Sequence, residues 1–179
     1  MKGIILTLDK IKNKILRIYR NYVFYCKTGY KVTLISNVTL INTNLKIGKN
    51  VTIYPNVMFF GDGLIEIGNN VDIGNNVIIY ASKDGGVKIG NDTMIAANCY
   101  IIDMDHGTSD DELVRKQKNV VNSINIGDDV WISENCTILR GTIIENGGIV
   151  GAKSLVKSKI KKNSIVYGIP AKFIRYRKK

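Results

Sequence analysis

The sequence predicts an all-β fold, a parallel β-helix with an amphipathic α-helix at its N-terminus and one protruding loop. Three observations predict this: an aliphatic residue recurs every six positions, turn-forming residues follow it at a fixed interval, and the N-terminal segment has a helical period. A strand this short cannot bury a face alone, so successive strands must stack on one another. The aliphatic positions are Ile47, Ile53, Ile67, Ile73, Ile79, Ile89, Ile95, Ile101, Ile126, Ile132, Ile138, Ile144, Val150 and Val156.

Residues suited to corners stand three positions after the aliphatic residue. Asn, Asp and Gly tolerate positive φ, and Asn and Asp also hydrogen-bond their own backbone in turns. The next position is small or β-branched, and Cys99 and Cys136 occupy it. We therefore expect each strand to end in a corner, and these two cysteines to fill the core rather than to react. The corner residues are Asn50, Asn56, Asn70, Asn76, Asp92, Asn98, Asp129, Asn135, Gly141 and Gly147.

The repeat is interrupted at three places. Residues 63–66 hold two extra positions, residues 83–86 hold four, and a long break runs from about Asp103 to Ser123. Long loops without structure of their own are uncommon inside compact domains and are usually functional. The sequence thus divides into an N-terminal helix over 1–30, a coil over 31–168 with a loop at about 103–123, and a basic tail over 169–179.

The N-terminal segment has apolar residues at helical spacing. We expect this helix to cap the open end of the coil, where unpaired strands would otherwise be exposed. Basic residues share the opposite face, so residues 1–25 are also expected to associate peripherally with an anionic membrane. The apolar positions are Ile4, Ile5, Leu8, Ile11, Ile15, Ile18, Tyr19 and Tyr22.

Charge is distributed unevenly along the chain. Residues 1–36 hold eight basic and one acidic residue, residues 153–179 hold ten basic and no acidic residues, and residues 37–152 hold eight basic and fourteen acidic, which together give the net charge of +11. This pattern favours a phosphate-rich ligand at one end and an anionic membrane at the other over nucleic acid. The sequence has neither an apolar run of roughly 18 residues nor a signal-peptide core. The expected location is therefore the cytoplasm, at the inner face of the membrane. The three cysteines lack metal-like spacing, and no metal is expected.

Three segments together resemble the hexapeptide-repeat acetyltransferases, most closely the branch of maltose, galactoside, capsule and O-antigen O-acetyltransferases. They are IGDDVWISENCTILRGTII at 126–144, VGAKSLV at 150–156 and NSIVYGIPAKFIR at 163–175. The resemblance covers roughly residues 40–175. It implies a left-handed coil with three hexads per turn, a homotrimer, acetyl-CoA bound as co-substrate between neighbouring subunits, and acetyl transfer to a hydroxyl of a sugar or surface polysaccharide.

The only histidine of the chain, His106, stands where the repeat breaks. The resembling enzymes carry their catalytic histidine at the start of such a loop. Imidazole titrates near physiological pH and suits the removal of a proton from a hydroxyl that attacks a thioester. Asp103, Asp105 or a backbone carbonyl is expected to orient the ring. Transfer is expected to be direct, in a ternary complex.

The resemblance also implies a cofactor and an acceptor surface. Trp131 precedes an inward isoleucine and should point outward, either into a subunit interface or into the wall of the acetyl-CoA groove. Among the other positions, Glu134 and Ala152 match residues whose backbone contacts pantetheine. The positions that match contacts to the phosphates or adenine of CoA are Lys157, Ser158, Lys172 and Arg175. Asn76 and Asp84 match positions that contact the sugar.

Other functions compete with this interpretation. Within the same chemistry, the acceptor could be the amine of a nucleotide-linked amino sugar, or serine. A carbonic anhydrase on the same coil needs three histidines for zinc, and the chain has one. A non-catalytic coil that serves as a scaffold or binds nucleic acid would show no release of CoA that depends on His106.

Overall fold

The fold is a coil of three parallel sheets, seen in a computed structural model that describes residues 2–42 and 44–178, with the side chains of the N-terminal helix described from Lys10 onward. Each turn of the coil contributes one short strand to each sheet, so neighbouring strands in a sheet are one turn apart in sequence. The predicted parallel β-helix is confirmed.

Sheet A is the longest of the three, and its last strand is antiparallel to the one before it. Its outward side chains alternate with buried ones. Its strands, in order, are β1 Thr33–Leu34, β4 Thr52–Ile53, β7 Asp72–Ile73, β10 Met94–Ile95, β15 Trp131–Ile132, β18 Ile149–Val150, β20 Ser164–Gly168 and β21 Ala171–Tyr176.

Sheets B and C complete the triangular cross-section. Sheet B contains β2 Val38–Leu40, β5 Val57–Phe60, β8 Ile78–Tyr80, β11 Tyr100–Ile102, β16 Thr137–Ile138 and β19 Leu155–Val156. Sheet C contains β3 Leu45–Ile47, β6 Leu64–Ile67, β9 Gly86–Ile89, β14 Ile124–Ile126 and β17 Ile143–Ile144, extended by a bridge between Ile144 and Ile160. We call the corner between sheets A and B the first corner, between B and C the second, and between C and A the third.

The core is a stack of aliphatic side chains along the coil axis. Ile53, Ile73, Ile79, Ile101 and Ile132 are each fully buried. Because every turn places its aliphatic residue over that of the turn below, the six-residue period in sequence becomes a continuous apolar column. Burial of such side chains is the main source of stability here.

The corners have the conformation that the sequence predicts. Asn50 and Asn70 have φ of 56°, a region that side chains other than Asn and Asp enter at a cost. The amide of Asn50 donates to Asn70 Oδ1 at 3.1 Å, and that of Asn70 donates to Asp92 Oδ1 at 2.8 Å. These ladders add hydrogen bonds between turns to those of the sheets.

The two buried cysteines belong to this core. Cys99 donates to the carbonyl of Ser133 at 3.1 Å, and Cys136 donates to that of Gly151 at 3.2 Å. The neighbouring thiol of Cys136, together with burial, raises the pKa of Cys99. Both thiols thus satisfy the backbone of the next turn, as expected of core residues.

The N-terminal helix α1, Lys2–Thr28, packs on the first turn through a different side from the predicted one. Phe24 is buried, and Asn21 both accepts from the backbone N–H of Leu34 at 2.9 Å and donates to its carbonyl at 3.2 Å. The predicted apolar stripe is instead exposed, by 51% at Ile11 and 60% at Ile15. Apolar residues at helical spacing show that a helix has two unlike faces but not which face meets the fold. The side chains of Ile4, Ile5 and Leu8 lie outside the described ones.

The C-terminus differs from the predicted basic tail. Residues 171–176 form β21, which pairs with β20. Arg177 follows it and donates to Asp129 Oδ2 at 2.6 Å, so the chain end is fastened to the third corner. Lys179 lies outside the described residues.

Candidate functional site

The predicted loop leaves the coil at the second corner of the fourth turn, between β11 and β14. Its root is a two-stranded antiparallel ribbon of β12 Met104–Asp105 and β13 Val120–Val121, and a short 3-10 helix, Val114–Lys116, lies in its outer part. His106 follows β12 directly and is exposed. A side chain at this position can reach a substrate while its backbone stays close to the rigid coil.

Asp103, one of two carboxylates expected to orient His106, has other partners. It is fully buried, and its oxygens accept from the N–H of Ser82 at 2.9 Å, the hydroxyl of Ser82 at 2.7 Å and the N–H of Gly86 at 2.7 Å. Ser82 precedes the four-residue insertion at the second corner of the turn below, and Gly86 is the last residue of that insertion. Asp103 therefore fastens that insertion to the base of the loop.

Asp105, the other candidate, accepts a charge-assisted hydrogen bond from Nε of Arg140 at 2.6 Å. Arg140 lies at the second corner of the turn above. Within residues 2–42 and 44–178, neither carboxylate nor any other group hydrogen-bonds the ring of His106. The predicted orienting contact is thus not among the bonds of this chain, and the role of both carboxylates in catalysis stays a prediction.

The outer part of the loop is organised by one side chain that the sequence did not single out. Oε1 of Gln117 accepts from the N–H of Ser109 at 2.9 Å, and its Nε2 donates to the carbonyls of Ser109 at 2.8 Å and Glu112 at 2.6 Å. Arg140 was also missed. Gln117 bonds residues five and eight positions before it in the loop, and Arg140 bonds a residue of the turn below. No sequence motif indicates contacts of this kind.

Trp131 points outward from sheet A, as predicted, and is 45% exposed. Its register partners are Met94 on one side and Ile149 on the other. Together with Tyr54 and Asp72, Trp131 and Met94 line a hollow of about 270 Å³. This surface is apolar enough to pack on a second chain or on the arm of a ligand.

Glu134 and Ala152 lie at the first corner, on successive turns. Both are exposed, and the carbonyl of Glu134 accepts from the N–H of Lys153 at 2.9 Å. The two residues therefore stand one above the other along an edge of the coil. An elongated ligand that runs along this edge would pass both backbones.

The basic residues predicted for CoA phosphates lie near the C-terminal end of the coil. Lys157 and Ser158 are at the second corner of the sixth turn, and Lys172 and Arg175 lie on β21. All four are exposed. Ser158 lines a hollow of about 280 Å³ there. The structure thus places these residues at one end of the coil but on two sides of it.

The predicted acceptor contacts lie at different corners. Asn76 is at the first corner, where it accepts from Asn56 at 3.1 Å and donates to Asn98 at 2.9 Å within an amide ladder. Asp84 is exposed in the insertion at the second corner. One chain does not bring these two side chains together.

The same separation applies to His106 and Trp131. His106 lies at the second corner, between sheets B and C, whereas Trp131 lies on sheet A. In a triangular coil the second corner is opposite sheet A, so the body of the coil stands between them. A site that uses both residues needs a second copy of the chain.

A groove of about 1020 Å³ lies elsewhere on the molecule. It runs along sheet C and is lined by residues such as Lys46, Glu66, Lys88 and Asn125. None of the predicted site residues lines it. Within the described residues, no group of three or more His, Cys, Asp or Glu side chains could hold a metal ion.

Comparisons with known proteins show which proteins the chain is similar to. No protein-family model matches it. It is 39% identical over 97 residues to WbbJ of Escherichia coli K12, provisionally named a lipopolysaccharide biosynthesis O-acetyl transferase, across 50% of each chain. The structure of a galactoside acetyltransferase in complex with coenzyme A is similar with a TM-score of 0.67 and 30% identity, over 73% of this chain and 64% of the other. The chain is thus similar to hexapeptide-repeat acetyltransferases in sequence and in fold.

The fold likeness extends further than the sequence likeness. AntD, an N-acyltransferase from Bacillus cereus solved with dTDP-4-amino-4,6-dideoxyglucose and coenzyme A, has a TM-score of 0.76 at 21% identity over 83% of this chain and 81% of its own. At that identity the likeness concerns the fold alone, a left-handed β-helix. The chain spans about half the length of the first curated relative it matches.

Proposed function

We propose that the protein is an acetyl-CoA-dependent O-acetyltransferase that acts on a hydroxyl of a sugar or surface-polysaccharide precursor. One observation carries the proposal. The repeat has one long interruption, and the sole histidine is exposed at the root of the loop that this interruption forms. Similarity to sugar and lipopolysaccharide acetyltransferases supports the choice of acceptor.

In the proposed reaction, neutral His106 removes the proton of the acceptor hydroxyl as its oxygen attacks the thioester carbonyl. The C–S bond then breaks, and the imidazolium returns the proton to the departing thiolate. Acetyl passes directly from sulfur to oxygen, so no acetyl-enzyme forms. Backbone N–H groups at the corners are suited to stabilise the tetrahedral oxyanion.

We propose that the active unit is a homotrimer with each site between two subunits. The separation of His106 from Trp131 by the body of the coil supports this arrangement. Sheet B supports it as well, because its outward positions include Met58, Ile78 and Tyr100, with the rings of Phe60 and Tyr80 5.1 Å apart. Contiguous apolar surface of this kind is typical of an interface.

Acetyl-CoA is proposed to lie along the first corner and sheet A of one subunit, facing His106 of the next. Its pantetheine would follow Trp131, Glu134 and Ala152. Its phosphates would then meet the basic C-terminal end, where Lys172 and Arg175 are exposed. Flexible cations of this kind suit phosphate groups.

The test of the activity is an assay for release of CoA thiol. The wild-type protein is incubated with acetyl-CoA and, in turn, methyl galactoside, a sialic acid oligomer, dTDP-4-amino-4,6-dideoxyglucose and serine. We expect release with a hydroxyl sugar that exceeds hydrolysis without acceptor. Absence of acceptor-dependent release across all four would contradict the proposed activity. Release with serine alone would favour a serine O-acetyltransferase, and release with the amino sugar alone would favour an N-acetyltransferase.

The test of the shared site is complementation between two inactive variants. His106→Ala and Trp131→Ala chains are unfolded together, refolded as a mixture and assayed. If each site takes His106 from one chain and Trp131 from its neighbour, random mixing restores about a quarter of wild-type activity. Mixtures that stay as inactive as the separate variants would contradict a site that takes these two residues from different chains.

We also propose that the protein works in the cytoplasm, at the inner face of the membrane. Within the described residues, no helix has both the length and the apolar composition to span a bilayer. The exposed apolar stripe of α1 is flanked by Lys10, Lys12 and Lys14, a pattern suited to lying on an anionic bilayer surface.

A further inference from the structure

His106 is exposed, and its ring has no hydrogen-bond partner within the part of the chain that the structure describes. A histidine that acts as a base must nevertheless be held in place, because a displacement of about 1 Å can cost about 100-fold in rate. Within its own chain, whatever holds this residue must therefore act through the backbone on its two sides. The neighbouring residues, Asp105 and Gly107, are both fastened.

On the N-terminal side, the anchor is Arg140. Its Nε donates to Asp105 Oδ2 at 2.6 Å, and the adjacent N–H of Gly141 donates to the carbonyl of Asn122 at the far end of the loop at 2.9 Å. Arg140 belongs to a corner whose preceding strand, β16, is paired on both sides. The loop root is thus tied to the rigid coil one residue before His106.

On the C-terminal side, the anchor is Gln117. Its amide bonds Ser109 twice and Glu112 once, which folds the outer loop around it. Gly107 is buried against this side chain, and a Cβ at Gly107 would lie 2.6 Å from Oε1 and 2.7 Å from Cβ of Gln117. The backbone one residue after His106 therefore rests directly on Gln117.

We propose that Arg140 and Gln117 are positioning residues for His106, and that they clamp the histidine from both sides. The proposal rests on the proposed role of His106 as the base. The pair of Arg140 and Asp105 is 35% and 44% exposed, and half-exposed ion pairs contribute little to global stability. Its consequence is therefore local, in the geometry of the loop root.

The sole histidine makes a direct test possible. Protein without a histidine tag, labelled with [15N]histidine, shows one backbone amide signal per subunit. In the wild type we expect the order parameter of that amide to be about 0.85, the value for rigid backbone, and in Arg140→Met combined with Gln117→Met to fall below about 0.6. An amide already flexible in the wild type, or equally rigid in the double variant, would overturn the proposal.

This measurement needs neither an acceptor nor activity, so its outcome is separate from that of the proposed function. Arg115→Met is the matched control, because Arg115 is an exposed arginine in the same loop and should leave the signal unchanged. The chain has no second glutamine, so Gln117→Glu serves as the conservative comparison. It keeps the acceptor for Ser109 N–H but loses both donated bonds, and we expect an intermediate order parameter.

Kinetics add a second test once an acceptor is known. Arg140→Met and Gln117→Met should each lower kcat about 10- to 100-fold while KM for acetyl-CoA stays within about twofold. Arg140→Lys, which can keep the ion pair, should recover part of the loss. In a His106→Ala background neither change should lower the residual rate further, because the residues act through His106. Additive losses in that background would show a role apart from His106 and would overturn the proposal.

Discussion

Replacing His106 with alanine is expected to lower kcat/KM for a sugar hydroxyl about 100- to 10,000-fold, the contribution of a positioned general base. An alcohol is a poor nucleophile until its proton is removed, and no other exposed titratable group at the described loop root is free for this task. Asp103 is buried among three donors, and Asp105 is paired with Arg140. The measurement is release of CoA thiol under saturating acetyl-CoA.

Thr108→Ala is the control for this prediction, because Thr108 is an exposed residue two positions further along the same loop. It should retain wild-type activity. If His106→Ala retained more than about a tenth of the activity on a hydroxyl acceptor, general base catalysis by this residue would be wrong. A large loss of activity with hydroxyl acceptors and a small loss with an amine acceptor would show that the protein acetylates both. The reason is that a neutral amine needs less help from a base than a hydroxyl does.

Replacing Ile15 with glutamate is expected to weaken binding to anionic vesicles about 100-fold. The substitution removes the burial of an isoleucine, about 2 kcal/mol, and adds a negative charge near an anionic surface, about 1 kcal/mol. Ile15 is 60% exposed in the stripe that faces away from the coil. The measurement is co-sedimentation with vesicles of equal parts phosphatidylglycerol and phosphatidylcholine.

Asn13→Glu is the matched control, since it adds the same charge on the opposite side of the helix, at another exposed position. The charge alone should cost about 1 kcal/mol, so binding should weaken only about fivefold. Point variants are preferable to deletion of residues 1–25, because deletion also removes Phe24 and Asn21, which pack on the first turn. Equal binding by Ile15→Glu and the wild type would rule out this membrane surface, and a change of oligomeric mass instead would assign the stripe to a second copy.

Much of the fold could be predicted because its determinants are local. A corner residue such as Asn70 adopts positive φ through its own side chain, and an isoleucine every six residues stacks whatever the rest of the chain does. The outward direction of Trp131 followed from alternation along one short strand. Handedness did not follow from the period, and it came from the resemblance to the acetyltransferases.

The partners of the site residues could not be predicted in the same way. Asp103 and Asp105 are close to His106 in sequence, which made them natural candidates to orient it. The structure joins them instead to Ser82 and Arg140, which are 21 and 35 residues away. Such contacts depend on which corners lie above one another, and that depends on the lengths of the insertions between strands.

The sequence by itself determined the coil, its corners, the presence of an amphipathic helix and the place of the break that carries His106. Only the tertiary structure decided which side of α1 meets the coil, what holds the residues around His106, and that His106 and Trp131 lie on opposite sides of one chain. The physical reason is the range of the interactions. Periodicity and turn propensity act within a few residues, whereas the site is assembled by contacts between turns of the coil and, as we propose, between subunits.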